Sequence, residues 1–571
     1  MTSSLCSVDP GKLEQDVHSA FAMLEQIRFV DALWSRRVED WSNNSDIKTQ
    51  ISSRLGWLSI IDWIQPQVQK IEQLAKQVQA NDFSDIVLLG MGGSSLAAEV
   101  MYRTIGRSKN APKFLMLDSV DPVEIRRALE KTATSLFIIS SKSGTTIETN
   151  SIAKEVRHRL EAEGCTNLGS KFIAITDENT DLHRYAVDQR FREIFINPSD
   201  VGGRYSALSF FGLVPAGLLG IPLETLLNQA ALMATACRNE KPQLNPGLTL
   251  GVFIAVAAKA GRDKLTLIFP KRLASLSLWI EQLIAESTGK QETGIVPITS
   301  ESLLPHYGTD RSAVVIELAG QETDPEIVAR LKTTSCPILT IQMPDTNSLG
   351  SEFFRWEMAA ATAGFLLGVN PFNEPNVRQS KKTTKKLLDI YSASGQLPLT
   401  EPDAITEDAK FLLSDSARQQ LKNKEPCHFL DLLTTDDYLG LLAYLPTSEI
   451  KIKEILKNFC TTVSGISGHA TTLGYGPRYL HSTGQLHKGG KRNGLFIIIT
   501  AKPKNDLPVP NESYSFGILQ QAQAIGDFVS LEADQRRALL IQLPTRDPNI
   551  LNDTLTNLLP KTLTKNYSVE S

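Results

Sequence analysis

A chain of 571 residues is too long for one compact core, so two to four domains are expected. Its composition is that of an ordinary globular protein, 42% hydrophobic and 21% charged. A net charge of −4 spread over both signs argues against nucleic acid or an anionic membrane as a partner. No stretch nears about 18 uninterrupted apolar residues and Met1-Thr-Ser-Ser-Leu-Cys has no basic-then-apolar leader, so neither a spanning helix nor a signal peptide is expected, and the cytoplasm is. The six cysteines (Cys6, Cys165, Cys237, Cys336, Cys427, Cys460) are scattered without a CxxC pair and read as free thiols. The eight histidines form no HxxxH or HxH pair, so no metal site is expected.

Residues 1–80 are helical in pattern. Apolar positions recur at three- to four-residue spacing over 13–40 and 60–78, with Asn43-Asn44-Ser45 between, giving a helical cover anchored by Trp34, Trp41, Trp57 and Trp63. From about 84 the period changes. Ile86-Val-Leu-Leu-Gly90 reads as a strand, Met91-Gly-Gly-Ser-Ser95 as a turn, and a helix starts at Leu96. Strands at 113–118, 135–140, 172–176 and 193–197 continue the alternation, which implies a parallel sheet covered on both faces. Ligands bind such sheets beyond the carboxyl ends of the strands, where the 91–95 and 141–146 turns both lie. Gly90-Met-Gly-Gly-Ser-Ser, with Asp118 ending the next strand, suggests a dinucleotide fingerprint, but GxGxxG needs glycine where Ser95 stands, so NAD is not expected.

Ser141-Lys-Ser-Gly-Thr-Thr146 leads from an apolar strand into a helix at about 147–162. Unpaired N–H groups at a helix start favour an anion, and Ser141, Ser143 and Thr146 add hydroxyls, Lys142 a cation, and Gly144 room for close approach. Thr145 and Glu148 have capping-box spacing. Farther on, Asp200-Val-Gly-Gly-Arg-Tyr-Ser206 offers an arginine behind two glycines, and a helical hairpin at 207–237 closes the unit.

A second α/β unit starts near 245, with a helix at 250–260, a strand at 264–269 and a strongly amphipathic helix at 272–287 that ends in Ala285-Glu-Ser-Thr-Gly-Lys290. Glu286 at a helix C-terminus faces the negative end of the dipole, which raises its proton affinity and suits a general base near neutral pH. Strands at 313–318 and 337–343 and an Ala-rich helix at 351–367 precede Pro371-Phe-Asn-Glu-Pro-Asn-Val377. The basic helix at 378–391 carries Lys381, Lys382, Lys385 and Lys386, ordinarily a solvated face, and 393–432 reads as a connecting or inserted segment. The alternation resumes at 438–444 and runs to 539–543, with a polar loop at 476–490 that holds His481 and His487. The expected division is a helical segment at 1–80, one domain at 81–240 and a second at 241–571.

Together these residues resemble the phosphoglucose isomerase family. Gly90-Met-Gly-Gly-Ser, Ser141-Lys-Ser-Gly-Thr-Thr, Val201-Gly-Gly-Arg-Tyr-Ser, Glu286-Ser-Thr-Gly-Lys and Asn370-Pro-Phe-Asn-Glu-Pro-Asn-Val stand in order over most of the chain. Phe353-Phe-Arg-Trp-Glu357 and the 476–490 loop are closest to the isomerase half of bacterial transaldolase/phosphoglucose isomerase fusions, and no transaldolase half is expected here. The resemblance implies an α/β fold of two sugar-isomerase (SIS) type, doubly wound parallel-sheet domains under an N-terminal helical cover. It also implies a homodimer that interconverts glucose 6-phosphate and fructose 6-phosphate without cofactor or metal. Residue by residue, Ser141, Ser143 and Thr146 match the phosphate-binding hydroxyls, with Ser94 and Lys142 beside them. Arg204 matches the arginine that stabilises the enediolate, Glu286 the base, His481 the histidine that opens the ring, and Lys381 the lysine near the ring oxygen; Gln485, in the same stretch as His481, is a further candidate.

Two departures stand out. The histidine stretch ordinarily follows the catalytic glutamate closely, whereas His481 comes after Lys381, which implies a rearranged strand order in the second domain and keeps His487 as the alternative. Glu374 occupies a position where the family commonly has glutamine, which alters hydrogen bonding near the site. The competing assignments are a non-catalytic SIS-domain sugar-phosphate sensor and an isomerase of broader substrate range, mannose 6-phosphate included.

Overall fold

The computed structural model describes residues 6–560 apart from 82, 300, 302, 322, 399, 400 and 423. Uninterrupted apolar runs suit strands covered on both faces, and Asp85–Gly90 and Ser135–Ser140 are buried throughout. They form the middle of a five-stranded parallel sheet in the order Lys113–Leu117, Asp85–Gly90, Ser135–Ser140, Phe172–Asp177, Glu193–Asn197. Gly90 pairs with Ser140 at its carboxyl edge, so the turns that follow these two strands emerge side by side.

The N-terminal segment is mainly helical, as expected, with helices Glu14–Gln26, Phe29–Trp34, Ser45–Ser52 and Val68–Ala80. Trp57 is fully buried, while Trp34, Trp41 and Trp63 are partly buried against the same core. The exception is Cys6–Asp9, a strand paired antiparallel with Ile338–Met343.

Residues 241–571 hold two sheets rather than the single one expected. One has the order Cys6–Asp9, Ile338–Met343, Arg311–Leu318, Lys264–Ile268, Val296–Ile298. The other runs Ala404–Ile405, Lys410–Leu413, Arg537–Leu543, Gly494–Ala501, Tyr438–Tyr444, Ala470–Tyr475. The last four of these are parallel, while Ala404–Ile405 and Lys410–Leu413 add an antiparallel edge. The 393–432 segment is therefore partly built into a sheet: Arg418 pairs with Asp403 and donates to Leu413 O, tying the edge to its following helix.

Between the layers lie helices with scarcely any exposed face. Every residue of Leu349–Leu366 except Phe365 is buried. Helix Pro246–Lys259 approaches it so closely that a Cβ on Gly251 would come within 2.6 Å of Thr362 Cβ. Helix Leu276–Thr288, expected to be amphipathic, is buried on nearly all sides. Its single-face apolar pattern reflects polar residues that point into a site rather than into solvent.

Candidate active site

Short turns at the carboxyl edge of the first sheet bring the first group together. Gly92 has φ +53°, a backbone conformation that favours glycine. A Cβ there would sit 2.5 Å from His481 O and 2.7 Å from Gln282 Nε2, and one on Gly93 would sit 2.2 Å from Gly203 O. The Met91–Ser95 turn thus packs against the arginine loop on one side and the histidine loop on the other. Ser140 Oγ donates to Ser94 O at 2.7 Å, joining that turn to the 141–146 loop. In the loop, Ser141 Oγ lies 3.1 Å from Thr146 Oγ1 and Ser143 Oγ 3.0 Å from Thr145 Oγ1, while Gly144 has φ +67°. Lys142 is paired with Asp177 and also donates to Ser199 O at 3.1 Å, so its ammonium braces the strand ends. Burial pulls its pKa below the usual lysine value.

The capping box does not form. Helix Ile147–Ala162 starts after Thr146 without a side-chain cap, and Glu148 turns away from the helix start. Its Oε1 accepts from Gln523 Nε2 at 2.7 Å and lies 2.9 Å from His481 Nε2. Burial pushes the Glu148 carboxyl up, but His481 and then Lys381 draw it down, and the net position is below the ordinary value. Glu148 is the site residue that the sequence misread, since a glutamate three positions after a threonine has the same spacing whether it caps or reaches elsewhere.

On the other side stands Arg204, 4% exposed. Its Nη1 donates to Glu286 Oε2 at 3.2 Å and to Glu374 Oε2 at 3.4 Å, its Nε to Ser287 Oγ at 3.0 Å, and its Nη2 to Pro371 O at 2.6 Å and Asn373 O at 3.0 Å. Tyr205 Oη lies 3.2 Å from the same Ser287 Oγ. Gln282, one helical turn before Glu286, donates to Glu286 Oε2 at 3.4 Å and to His481 O at 2.7 Å, linking the two halves. Glu286 is pushed up to about 7, first by burial and secondarily by Glu374, against the opposing pull of Arg204. Burial is thus the larger cause, ahead of the helix-end position that the sequence suggested.

The remaining candidates fall around this group. Lys381 is exposed on helix Pro375–Ser394, close enough for its charge to act on Glu148. Gln485 is fully buried; it donates to Gly289 O at 3.0 Å and to Asn376 Oδ1 at 2.8 Å, bracing the segment after Glu286 against the Lys381 helix. His487 lies instead among Tyr438, Tyr479 and Phe496, and burial pushes its imidazole down to about 3. It is a neutral core histidine. Asp118, the residue in the ribose-acid position, lies 3.1 Å from Arg478, three residues before His481. Late in sequence, His481 still reaches the first sheet because the strand Ala470–Tyr475 delivers its loop there. Among the described residues no group of three or more His, Cys, Asp or Glu is placed to hold a metal ion. No described helix is long and apolar enough to cross a membrane.

The family model for phosphoglucose isomerase matches residues 60–302. A glucose-6-phosphate isomerase of Prochlorococcus marinus (strain MIT 9211) is 25% identical over 461 residues, covering 72% of this chain and 82% of that relative. One from Methanocaldococcus jannaschii is 28% identical over 356 residues, covering 56% of this chain and 87% of its own length. Among solved structures, a hypothetical protein from Thermus thermophilus superposes with a TM-score of 0.56 at 21% identity, over 67% of this chain and 99% of that one. A glucose-6-phosphate isomerase from Chlamydia trachomatis does so at 0.53 and 17% identity, over 68% and 88%. These two likenesses show a shared fold. The conclusion from the matched motifs and the relatives is one of likeness: this chain is similar to phosphoglucose isomerases, most clearly over residues 60–302.

Proposed function

We propose that the protein is a glucose-6-phosphate isomerase working by proton transfer through a cis-enediolate. The observation that carries this is the joining of buried Glu286 and Arg204 with the His481 loop, whose backbone carbonyl accepts from Gln282. The Ser141, Ser143 and Thr146 hydroxyls, with Ser94 close by, anchor the substrate phosphate. His481 moves the ring proton, and Glu148 steadies the cation that forms on it. Lys381 supplies a charge near the ring oxygen. Glu286 takes the proton from C2 and returns it at C1, while the hydroxyl proton passes from O2 to O1. Arg204 offsets the negative charge that builds up on the enediolate oxygens. No net oxidation occurs, so the residues present suffice.

The 81–240 unit holds the phosphate in this proposal and the 241–571 unit supplies base and acid. Assembly as a homodimer and a cytoplasmic location belong to the same proposal and rest on the family resemblance. The test is a metal-free coupled assay of fructose 6-phosphate with wild type and Glu286→Gln. Glu286→Gln should lose roughly 10²–10⁴-fold in kcat, the usual share of one acid/base group. Equal turnover by both proteins overturns the base assignment. Binding of the sugar phosphate without turnover by wild type favours the sensor.

A further inference from the structure

We propose that Glu374 is a positioning residue that sets the pH range in which Glu286 works as a base, by sharing the guanidinium of Arg204 with it. The inference rests on the isomerase assignment and deepens it. A single nitrogen, Arg204 Nη1, donates to both carboxylates, at 3.2 Å to Glu286 and 3.4 Å to Glu374. The other two nitrogens are occupied by Ser287 and by the carbonyls of Pro371 and Asn373, so the guanidinium cannot swing toward either partner. Lys290 holds the same loop from beneath by donating to Asn370 O and Ser287 O. One fixed cation therefore faces two anions, and each carboxylate receives less of it than it would alone.

Glu374 has a side chain 31% exposed and a cation of its own only at 3.9 Å, in Arg378. It borders a cavity of about 350 Å³ shared with Gln50, Ser53, Arg54 and Asn373. The charged groups that act on Glu286 are Arg204 from the 203–205 turn, Glu374 from the loop before helix Pro375–Ser394, His481 from the histidine loop and Lys290 from its own helix end. Glu374 is the only one of these four that opposes ionisation of the base. A glutamine at this position keeps an oxygen for Nη1 and removes the repulsion.

The test follows the carboxyl carbon of Glu286 by 13C NMR, its signal identified by loss in Glu286→Gln, together with kcat/KM against pH for fructose 6-phosphate. In Glu374→Gln the Glu286 midpoint and the acid limb of the profile should move down together by about one pH unit, a modest share of what a near charge does. Glu374→Ser gives a second reading if the glutamine variant folds poorly. An unchanged midpoint in an active enzyme overturns the coupling and leaves the isomerase assignment standing. A midpoint that falls in a protein without isomerase turnover upholds the coupling and overturns that assignment.

Discussion

His481 and Glu148 lie 333 residues apart in sequence and 2.9 Å apart in space, and the pairing decides what the histidine can do. An imidazole that takes up a proton in a pocket 13% exposed needs a fixed anion to hold the cation, and Glu148 is itself held by Gln523. Glu148→Gln keeps a hydrogen-bonding group at the position but removes the charge. It should lower kcat/KM for the ring-closed sugar about tenfold to a hundredfold, read in the same coupled assay. A wild-type profile from this variant would return the ring-opening role to another group. A local pattern marks several residues that the structure brings near one another: hydroxyls before a helix, an arginine after two glycines, a glutamate at a helix end. Glu148 was not legible in this way, because its partner comes from the far end of the chain and the only nearby clue, Thr145, pointed to a cap.

Among the elements, the Met91–Ser95 turn is held by close contacts on two sides. Its glycines let the arginine loop and the histidine loop press on it from opposite sides. Gly92→Ala places a Cβ where His481 O stands and forces alanine into a left-handed backbone conformation that costs about 1–2 kcal/mol by itself. The variant should unfold at lower urea by an amount equivalent to roughly 2 kcal/mol. It should also lose activity beyond what instability explains, because Gln282 would lose its hold on His481 O. Retained activity alongside retained stability would show that the turn yields. The strands of the first sheet were readable from apolar runs bounded by small polar turns. Helix Leu276–Thr288 was readable as a helix but not as a buried one: its polar residues, Gln282 and Glu286 among them, look like a solvent face until the opposing loops are in place.

At the scale of the whole molecule, three sheets rather than two come from one stretch of sequence that alternates strands and helices throughout. Alternation says that strands are parallel but not where one sheet ends, and the Cys6–Asp9 and Lys410–Leu413 edges are set by partners roughly 130 to 330 residues away. The same long-range packing buries two titratable groups whose effects on stability oppose each other. His487 falls from 6.5 to about 3 on burial, so the unfolded chain holds one more proton between those values and stability rises with pH there. Glu286 rises from 4.5 to about 7, so the folded chain holds the extra proton and stability falls with pH across that range. Between about 4.5 and 6.5 the two slopes, each about 1.4 kcal/mol per pH unit, cancel. Removing either group should subtract its own slope from the wild-type curve. Relative to wild type, Glu286→Gln should gain nothing near pH 4.5 and about 3 kcal/mol by pH 7. His487→Phe should gain toward low pH, through relief of a cost that the buried imidazole imposes once the unfolded chain is protonated. Urea unfolding of the three proteins at matched pH values measures both differences, and because all other groups are common, parallel curves would show that neither burial perturbs its proton.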